Sequence, residues 1–393
     1  MSKVSVSRLR RIARCVAWSG AGIVVIAAVA ITSIHIEQRV LRWRAERLLG
    51  DIRAIGLRQT DWSTAQSLMK RWGKWGRYEG SCTEEHCVYR VELQDFSYLH
   101  LNLFGERPPV WMLYQKIGGR PSRVRAEWKV WEGRIVGKSF GVVVEVPSRS
   151  GQSPGNEEIG YSLWGSSQSI SRFPFQYRPQ LLLHPNYVIG TPGGCEICLY
   201  VYVQFTPDAG PEDVQRLMIF NLNCLNAWHP CRERDDIMPT AWKQYLAELP
   251  RWQEDRRVFQ NCTVYPLELM GRDSESAAIG EVVSTYNKTV FDEPLRVARV
   301  KLMERLKGAL TWQPGTAQEM NIAKRAPYQD GERDRTELLP GQRYVFLMED
   351  RTRGPAAQFE VEPCGVIPAI DDNLKAIRRG IALDYFAAER VAK

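Results

Sequence analysis

The sequence predicts an α+β fold: an N-terminal transmembrane helix, then an antiparallel-sheet α+β domain and a small C-terminal β-barrel closed by a helix. Three observations support this prediction. Residues 15–36 form an uncharged apolar run, several later segments alternate with the period of a strand, and others repeat with the period of a helix. After the run, about 355 residues remain, which is the length of two domains.

The N-terminal region predicts a single membrane span. Residues 1–14 contain five basic residues and no acidic one, and the 22 residues of the run 15–36 match the roughly 20 that a helix needs to cross a bilayer. We favour an uncleaved signal anchor that contacts the lipid bilayer, because the run continues past Ala30 to Ile36. The alternative is a cleaved signal peptide, with Ala28-Val29-Ala30 as its cleavage site.

The cysteine content indicates on which side of the membrane the remaining chain lies. Basic residues do not decide this, since five precede the run and five follow it between Arg39 and Arg53. Eight cysteines beyond the run are typical of an oxidising compartment. We therefore predict a cell-membrane protein with a cytoplasmic tail, residues 1–14, and its C-terminal bulk outside the cytoplasm. Eight reduced cysteines in a cytosolic domain are the alternative.

These eight cysteines are the disulfide candidates. Three pairs are close in sequence, and the first pairing we consider is 82–87, 224–231 and 262–364, which leaves 195–198. Sequence alone does not decide among the possible connectivities. The candidates are Cys82, Cys87, Cys195, Cys198, Cys224, Cys231, Cys262 and Cys364.

Residues 37–76 are predicted to form two juxtamembrane helices, Glu37–Ile55 and Asp61–Trp75. Ser63 with Gln66 resembles a capping box for the second helix. Its buried face is predicted to contain Trp62, Ala65, Met69 and Trp72.

Residues 77–250 are predicted to form the α+β extracytoplasmic domain. Apolar residues alternate in segments that read as antiparallel strands, with a hairpin around Glu132-Gly133. Pro147–Pro179 is rich in Ser, Gly and Pro and reads as a long loop. The predicted strands are 87–94, 98–104, 124–131, 135–146, 181–189 and 197–205, and the predicted helices are 211–228 and 240–249.

Residues 251–393 are predicted to form the β-barrel domain. Strands are expected at 278–284, 295–303, 343–348 and 358–362, and the polar segment 313–341 reads as a surface loop. A closing helix is expected over Asp371–Val391, with Asp371 as its N-cap.

The order of motifs in this second unit resembles the netrin/TIMP-like OB barrel. Cys262 precedes Ile279-Gly280-Glu281-Val282-Val283, then Gly341-Gln342-Arg343-Tyr344-Val345, and finally Glu362-Pro363-Cys364-Gly365. The resemblance implies a cysteine-tethered five-stranded barrel that ends in a helix. It implies no functional residue, because Cys262 is internal and the family's inhibitory amino-terminal cysteine has no counterpart. The whole chain also resembles uncharacterised bacterial single-pass membrane proteins, which implies location and no activity.

Charge and aromatic content restrict the classes of partner. The formal charge is +8, and subtracting the five basic residues of the tail leaves 8 − 5 = +3 for residues 15–393, so no nucleic-acid partner is expected. The chain contains 13 tryptophans. Trp62, Trp72 and Trp75 are close in sequence and suggest a carbohydrate-stacking platform, although packing in the core is the favoured interpretation.

Two local motifs have chemical alternatives. Cys195-Glu196-Ile197-Cys198 has redox spacing, but a strand follows it, so no helix N-terminus would stabilise a thiolate and a structural disulfide is favoured. A zinc site of Cys195, Cys198, His229 and Cys231 is the second alternative. Ser67 and Lys70 match a Ser/Lys pattern, which we attribute to chance because they lie on an amphipathic helix.

The sequence thus predicts a membrane-anchored extracytoplasmic binding or scaffolding protein for another envelope protein or a glycan, with no cofactor and no catalytic residue assigned. The alternative is an envelope enzyme, either a hydrolase or a thiol-redox protein. An enzyme should have a pocket in which titratable groups converge, for example His100 or His229 beside a carboxylate.

Overall fold

The protein was analysed as a computed structural model, and the chain forms two compact units. Unit 1 comprises residues 1–169, 189–204 and 210–245, and unit 2 comprises residues 170–188, 205–209 and 246–393. The structure describes residues 4–95, 114–115, 117–146, 161–173, 177–191, 198–226, 231–259, 266–290, 293–308, 319–325, 337–349 and 359–383.

One continuous helix, α1 (Val4–Ala54), contains the predicted membrane span and the first juxtamembrane helix. Its apolar stretch is long and apolar enough to cross a membrane, and none of that stretch is buried within the protein. The later half packs on unit 1, because its buried residues recur every three or four positions. These residues are Gln38, Leu41, Ala45, Leu48, Leu49 and Ile52.

The second helix, α2 (Trp62–Trp72), begins one residue after its cap. The capping box predicted from Ser63 and Gln66 is wrong: the cap is Asp61, whose carboxylate accepts a 2.9 Å hydrogen bond from the backbone amide of Thr64. This hydrogen bond lowers the pKa of Asp61.

Unit 1 is built on antiparallel strands that continue the predicted alternation. In the first sheet the strand order is β1-β2-β3-β4-β5-β7-β6, and each of the first five strands is antiparallel to its neighbour. The strands are β1 (Gly76–Tyr78), β2 (His86–Gln94), β3 (Ser122–Trp131), β4 (Arg134–Val146), β5 (Tyr161–Ser169), β6 (Tyr187–Gly190) and β7 (Cys198–Phe205).

The predicted hairpin is present, and both of its turn residues have positive φ, 49° at Glu132 and 74° at Gly133. The long loop predicted over 147–179 is partly wrong, because β5 lies within it and pairs with β4. Its inward positions include Gly165 and Ser167, so the apolar alternation is weak. A side chain at Gly165 would meet Met238 at 3.0 Å, which explains why a small residue lies there.

Three other segments differ from the prediction. Only the end of 181–189 is a strand, since α3 (Arg178–Leu181) begins that region. The predicted helix 211–228 is split into α4 (Pro211–Leu217) and a 3-10 helix (Leu222–Leu225). After the short α5 (Arg234–Ile237), the helix α6 (Pro239–Phe259) extends well beyond its predicted end and includes Pro250.

Unit 2 contains a five-stranded sheet that closes on itself. The order around it is β10-β12-β11-β8-β9, with β9 also paired to β10. All of these neighbours are antiparallel except β10 and β12, which are parallel. The strands are β8 (Ser276–Val290), β9 (Glu293–Lys307), β10 (Glu319–Arg325), β11 (Arg343–Glu349) and β12 (Phe359–Pro368).

The loop predicted over 313–341 is therefore partly wrong, because β10 lies inside it. Its sequence, Glu319-Met-Asn-Ile-Ala-Lys-Arg325, places Met320 and Ile322 in the barrel core, between polar neighbours. Two inward apolar residues in a short strand give too little alternation to identify it within a polar segment. The predicted strand 98–104 lies outside the described residues.

Two helices of unit 2, α7 (Leu267–Asp273) and α8 (Asp371–Ala382), lie against each other. A side chain at Gly380 would overlap the carbonyl of Glu268, so glycine permits this close approach. The N-cap of α8 is Ile370, with Asp371 in the first turn, so the predicted cap is off by one residue. Residues 384–391 of the predicted closing helix lie outside the described residues.

Candidate functional site

The candidate site is a pocket of about 610 Å³ in unit 1. Its volume is within the range of small-molecule sites. It is lined by four parts of the chain: one face of α2 with the residue after it, the short strand β1, the loop that leads from β1 into β2, and β2 itself. The lining residues are Trp62, Gln66, Met69, Lys70, Gly73, Gly76, Tyr78, Cys82 and Tyr89.

The α2 side of the pocket follows from helical spacing. Each lining residue on this side has another one three or four positions away, so they share one stripe of the helix. They are Trp62, Gln66, Met69, Lys70 and Gly73. The adjacent stripe, with Ala65, Leu68 and Trp72, is buried. Because the pocket stripe passes beside the buried one, Met69 contributes to both.

The floor of the pocket depends on a close approach between Gly76 and Tyr89. The two strands pair with Gly76 opposite Val91 and Tyr78 opposite Tyr89. A side chain at Gly76 would overlap the phenol of Tyr89. The ring of Tyr78 contacts that of Tyr89 edge to face, with 5.1 Å between centroids.

Tyr89 is fixed through both its hydroxyl and its ring. Its hydroxyl donates a 3.1 Å hydrogen bond to the carbonyl of Met69, and its ring lies 4.9 Å from that of Trp128. Burial, together with the neighbouring hydroxyl of Tyr78, raises the pKa of Tyr89. The phenol is therefore a neutral, fixed group in the floor of the pocket.

A disulfide fixes the side of the pocket that is formed by the loop between β1 and β2. Cys82 is bonded to Cys87, with 4.2 Å between their Cα atoms. The loop between them is also joined by the amide of Thr83, which donates a 3.0 Å hydrogen bond to the carbonyl of His86. These links fix the loop on which Cys82 reaches the pocket.

The character of the lining is aromatic with one cation. Trp62 is half-buried and Tyr78 is 56% exposed, so both rings are accessible to a ligand. Lys70 is exposed and is the charged side chain among the lining residues, while Gln66 adds an amide. Among the residues that the structure describes, the lining contains no carboxylate, no imidazole, no free thiol and no hydroxyl other than the two phenols.

The three tryptophans that suggested a stacking platform do not line one surface, although the rings of Trp72 and Trp75 contact each other with 5.9 Å between centroids. Trp62 lines the pocket, but Trp72 is 2% exposed and its Nε1 donates a 2.8 Å hydrogen bond to Asp51. Trp75 lies under the guanidinium of Arg44, 4.7 Å from its ring centroid. Core packing is therefore the role of Trp72, and only Trp62 faces the pocket.

The described cysteines beyond the apolar run are all in disulfides. Besides Cys82–Cys87, Cys224 is bonded to Cys231, and Cys198 and Cys364 are also disulfide-bonded. Cys195 and Cys262 lie outside the described residues, so the predicted pairings 195–198 and 262–364 cannot be followed to both ends.

These bonds remove two ligands from the alternative zinc site. A disulfide sulfur offers no thiolate, so neither Cys198 nor Cys231 can bind zinc in this state. Cys195 and His229 lie outside the described residues. Within the described part of the chain, no group of three or more His, Cys, Asp and Glu residues is placed to hold a metal ion.

A histidine does lie beside a carboxylate, but not in this pocket. In unit 2, His184 Nε2 is 2.9 Å from Glu248 Oε1, and its ring stacks on Tyr187 with 4.4 Å between centroids. His100 and His229, which the sequence suggested for such a role, lie outside the described residues. In the Ser/Lys pattern, Ser67 does not line the pocket, and its hydroxyl donates to the carbonyl of Ser63 at 3.0 Å.

Sequence reasoning missed most of the pocket. Trp62 was assigned to the buried face of α2, whereas it lies on the neighbouring stripe with Gln66 and Lys70. The spacing of these three residues was a usable signal. The contribution of Tyr78 and Tyr89 had no local signal, because it depends on how β1 pairs with β2.

No protein-family model matches the chain, and no curated protein matches it. Among solved structures, the chain is similar to the crystal structure of fission yeast Pot1 and ssDNA, at 7% identity, over 81% of this chain and 99% of that chain. The TM-score of 0.19 is too low to indicate a shared fold, so no argument rests on this similarity.

Proposed function

We propose that this chain is a membrane-anchored extracytoplasmic binding protein and that the pocket between α2 and β1–β2 is its ligand site. The observation that carries the proposal is the lining: two accessible aromatic rings, one amide and one cation around a space of about 610 Å³. Such a lining can stack, donate hydrogen bonds and attract an anion. The described lining residues include no acid–base pair or nucleophile of the kind that hydrolysis needs.

The ligand class follows from these groups. Trp62 and Tyr78 offer faces on which the C–H side of a sugar ring can stack, as aromatic rings do in sugar-binding sites. Gln66 can bond to hydroxyls, and Lys70 favours a carboxylate. We therefore propose an acidic glycan as the ligand. The thiol-redox alternative belongs to the Cys195–Cys198 motif and not to this pocket, where Cys82 is bonded to Cys87.

The anchoring part of the proposal is supported by α1. It provides an unburied apolar stretch that continues as one helix into the packed part of unit 1. The two disulfides of unit 1 and the disulfide-bonded Cys364 of unit 2 support an oxidising compartment. The proposed topology is a cytoplasmic tail, residues 1–14, and a C-terminal bulk outside the cytoplasm.

The fold of unit 2 supports the OB-like part of the proposal. When β8 to β12 are renumbered 1 to 5, their order around the barrel is 1-2-3-5-4, and strand 4 pairs again with strand 1. Strands 3 and 5, which are β10 and β12, form the parallel pair. This is the arrangement of a five-stranded Greek-key barrel. We assign no ligand to it, because the aromatic pocket lies within unit 1.

The test uses the full chain in nanodiscs and two trisaccharides, trigalacturonate and neutral maltotriose, measured by calorimetry. We expect trigalacturonate to bind more tightly. Trp62→Ala should weaken it about tenfold or more, which corresponds to about 1.4 kcal/mol, and Lys70→Gln should remove the preference for the acidic sugar.

Trp164→Ala and Lys74→Gln are the matched controls, because Trp164 is an exposed tryptophan of β5 and Lys74 an exposed lysine just after α2. Both should leave binding unchanged. Equal loss in a control, or no binding of either sugar by a folded protein, would contradict the proposed glycan site.

A further inference from the structure

A cluster of cations and tryptophans lies where α1 leaves its apolar stretch. The guanidinium of Arg44 and the ammonium of Lys74 lie 4.7 Å and 5.6 Å from the centroid of Trp75. The guanidinium of Arg47 lies 5.7 Å from the centroid of Trp43, which is 59% exposed. Two separate chain segments, the middle of α1 and the end of α2, thus place cations and rings together.

Nearby carboxylates are engaged by other cations. Glu46 pairs with Arg42 at 2.7 Å, and Asp51 pairs with Arg71 and accepts from Trp72. Among the described residues, no carboxylate forms an ion pair with the other four cations of this region, which are Arg39, Arg44, Arg47 and Lys74. We call these four, together with Trp43 and Trp75, the collar: Arg39, Trp43, Arg44, Arg47, Lys74 and Trp75.

The collar begins at the depth of a lipid headgroup layer, and its later cations, Arg44 and Arg47, lie about 12 Å and about 16 Å beyond Ile36, within roughly one Debye length of that layer. Trp43 is seven residues beyond Ile36, or about 10 Å along a helix that rises 1.5 Å per residue. Side chains on a helix lean towards its N-terminus, which here is the apolar stretch, so the ring reaches back several ångströms. The headgroup layer is about 5–7 Å thick on each side of the hydrocarbon core. Arg39, about 4.5 Å beyond Ile36, falls inside it.

We propose that the collar is a binding surface for anionic phospholipid headgroups on the side of the membrane that carries the folded domain. The cations attract lipid phosphates, and the exposed ring of Trp43 lies between the apolar and the aqueous layers, as interfacial tryptophans do. The proposal rests on the proposed anchoring through α1. It also explains why basic residues follow the apolar run without being a cytoplasmic signal.

The experiment reconstitutes the full chain in nanodiscs that contain phosphatidylcholine alone or with phosphatidylglycerol. The phosphatidylglycerol retained after mild detergent extraction is then counted by native mass spectrometry. We expect the wild-type chain to retain it selectively. A variant with Arg39→Gln, Arg44→Gln, Arg47→Gln and Lys74→Gln should retain at least fivefold less, since even one cation near an anionic surface contributes about that factor.

A matched variant removes four exposed cations elsewhere and should retain as much phosphatidylglycerol as wild type: Lys129→Gln, Lys301→Gln, Arg343→Gln and Lys375→Gln. Brominated lipids should also quench the tryptophan fluorescence of wild type more than that of the Trp43→Phe variant. Equal retention by the collar variant and wild type, with both inserted, would overturn the collar alone. Failure of the chain to insert would overturn the anchoring and the collar together.

Discussion

The Nζ atom of Lys138 donates a 2.7 Å hydrogen bond to the carbonyl of Ile55, the residue after α1 ends. Lys138 is on β4 and only 6% exposed, so a buried cation satisfies the end of the long helix. The same junction has two backbone bonds: the amide of Arg58 donates to Ile135 at 2.7 Å, and the amide of Ile135 donates to Thr60 at 2.9 Å. The long helix α1 is thereby fixed to the sheet of unit 1.

Lys138 predicts a rise in stability at alkaline pH. Burial lowers the pKa of Lys138 to about 8 from the ordinary lysine value of 10.5. Below pH 8 both folded and unfolded states are protonated, and the folded state bears the desolvation cost. Between pH 8 and 10.5 the folded state loses its proton first, so this group's penalty falls by up to about 3 kcal/mol.

The measurement is the free energy of unfolding at pH 7 and pH 9.5. Wild type should gain stability relative to Lys138→Met as the pH rises. Lys129→Met, an exposed lysine of β3, should behave as wild type. Identical pH dependence of wild type and Lys138→Met would show that the buried ammonium carries no such penalty.

Gly76 predicts a steric effect on the pocket floor. Gly76→Ala should cost about 1–3 kcal/mol, because its methyl group would overlap the phenol of Tyr89 in a packed site. Gly73→Ala is the control from the same lining: its nearest neighbour, the carbonyl of Met69, would be 3.4 Å away, and its φ is −53°. Chemical denaturation compares the two, and an equal, small loss for both would argue against the close approach.

The two disulfides whose cysteines are both described should have similar effects on stability but different effects on ligand binding. Replacing both Cys82 and Cys87 by Ala should cost about 2 kcal/mol from loop entropy and should also weaken trigalacturonate binding. Replacing Cys224 and Cys231 by Ala opens a loop of similar length, since the two sequence separations are 7 residues here and 5 for Cys82–Cys87, so its cost should be similar. Binding should survive in that second variant, and calorimetry at a temperature where both remain folded checks this.

The buried ion pair of unit 2 predicts that losing one charge costs more stability than losing both. Arg272 donates to Asp273 through Nε at 2.9 Å and Nη2 at 3.1 Å, and both residues are almost fully buried. Arg272→Met should cost about 3–5 kcal/mol, because the carboxylate of Asp273 would be buried without its cation. Arg272→Met with Asp273→Asn should recover part of this loss. Thermal unfolding of both variants measures it, and no recovery would contradict charge burial as the cause.

Several elements could be predicted because their burial pattern is local. β3 runs Val124, Ala126, Trp128 and Val130 inward against charged neighbours, and the structure confirms that alternation. β5 could not be found in the same way, because Gly165 and Ser167 face inward under Met238 and carry no apolar signal. The α+β class and the apolar helix were thus predictable, whereas β1 and β5 of the first sheet and β10 of the barrel were not.

The sequence by itself determined the apolar span, the alternation of most strands and the closeness of the cysteines that are paired, because each depends on residues a few positions apart. Tertiary structure decided which distant segments meet. Residues 170–188 belong to unit 2, since Arg272 donates to the carbonyl of Pro185 at 2.9 Å and the carboxylate of Asp273 accepts from the amide of Phe173 at 3.3 Å. The pocket likewise exists only because β1 pairs with β2 and brings Tyr78 and Tyr89 beneath α2. Periodicity specifies which face of an element is buried, but not what covers it.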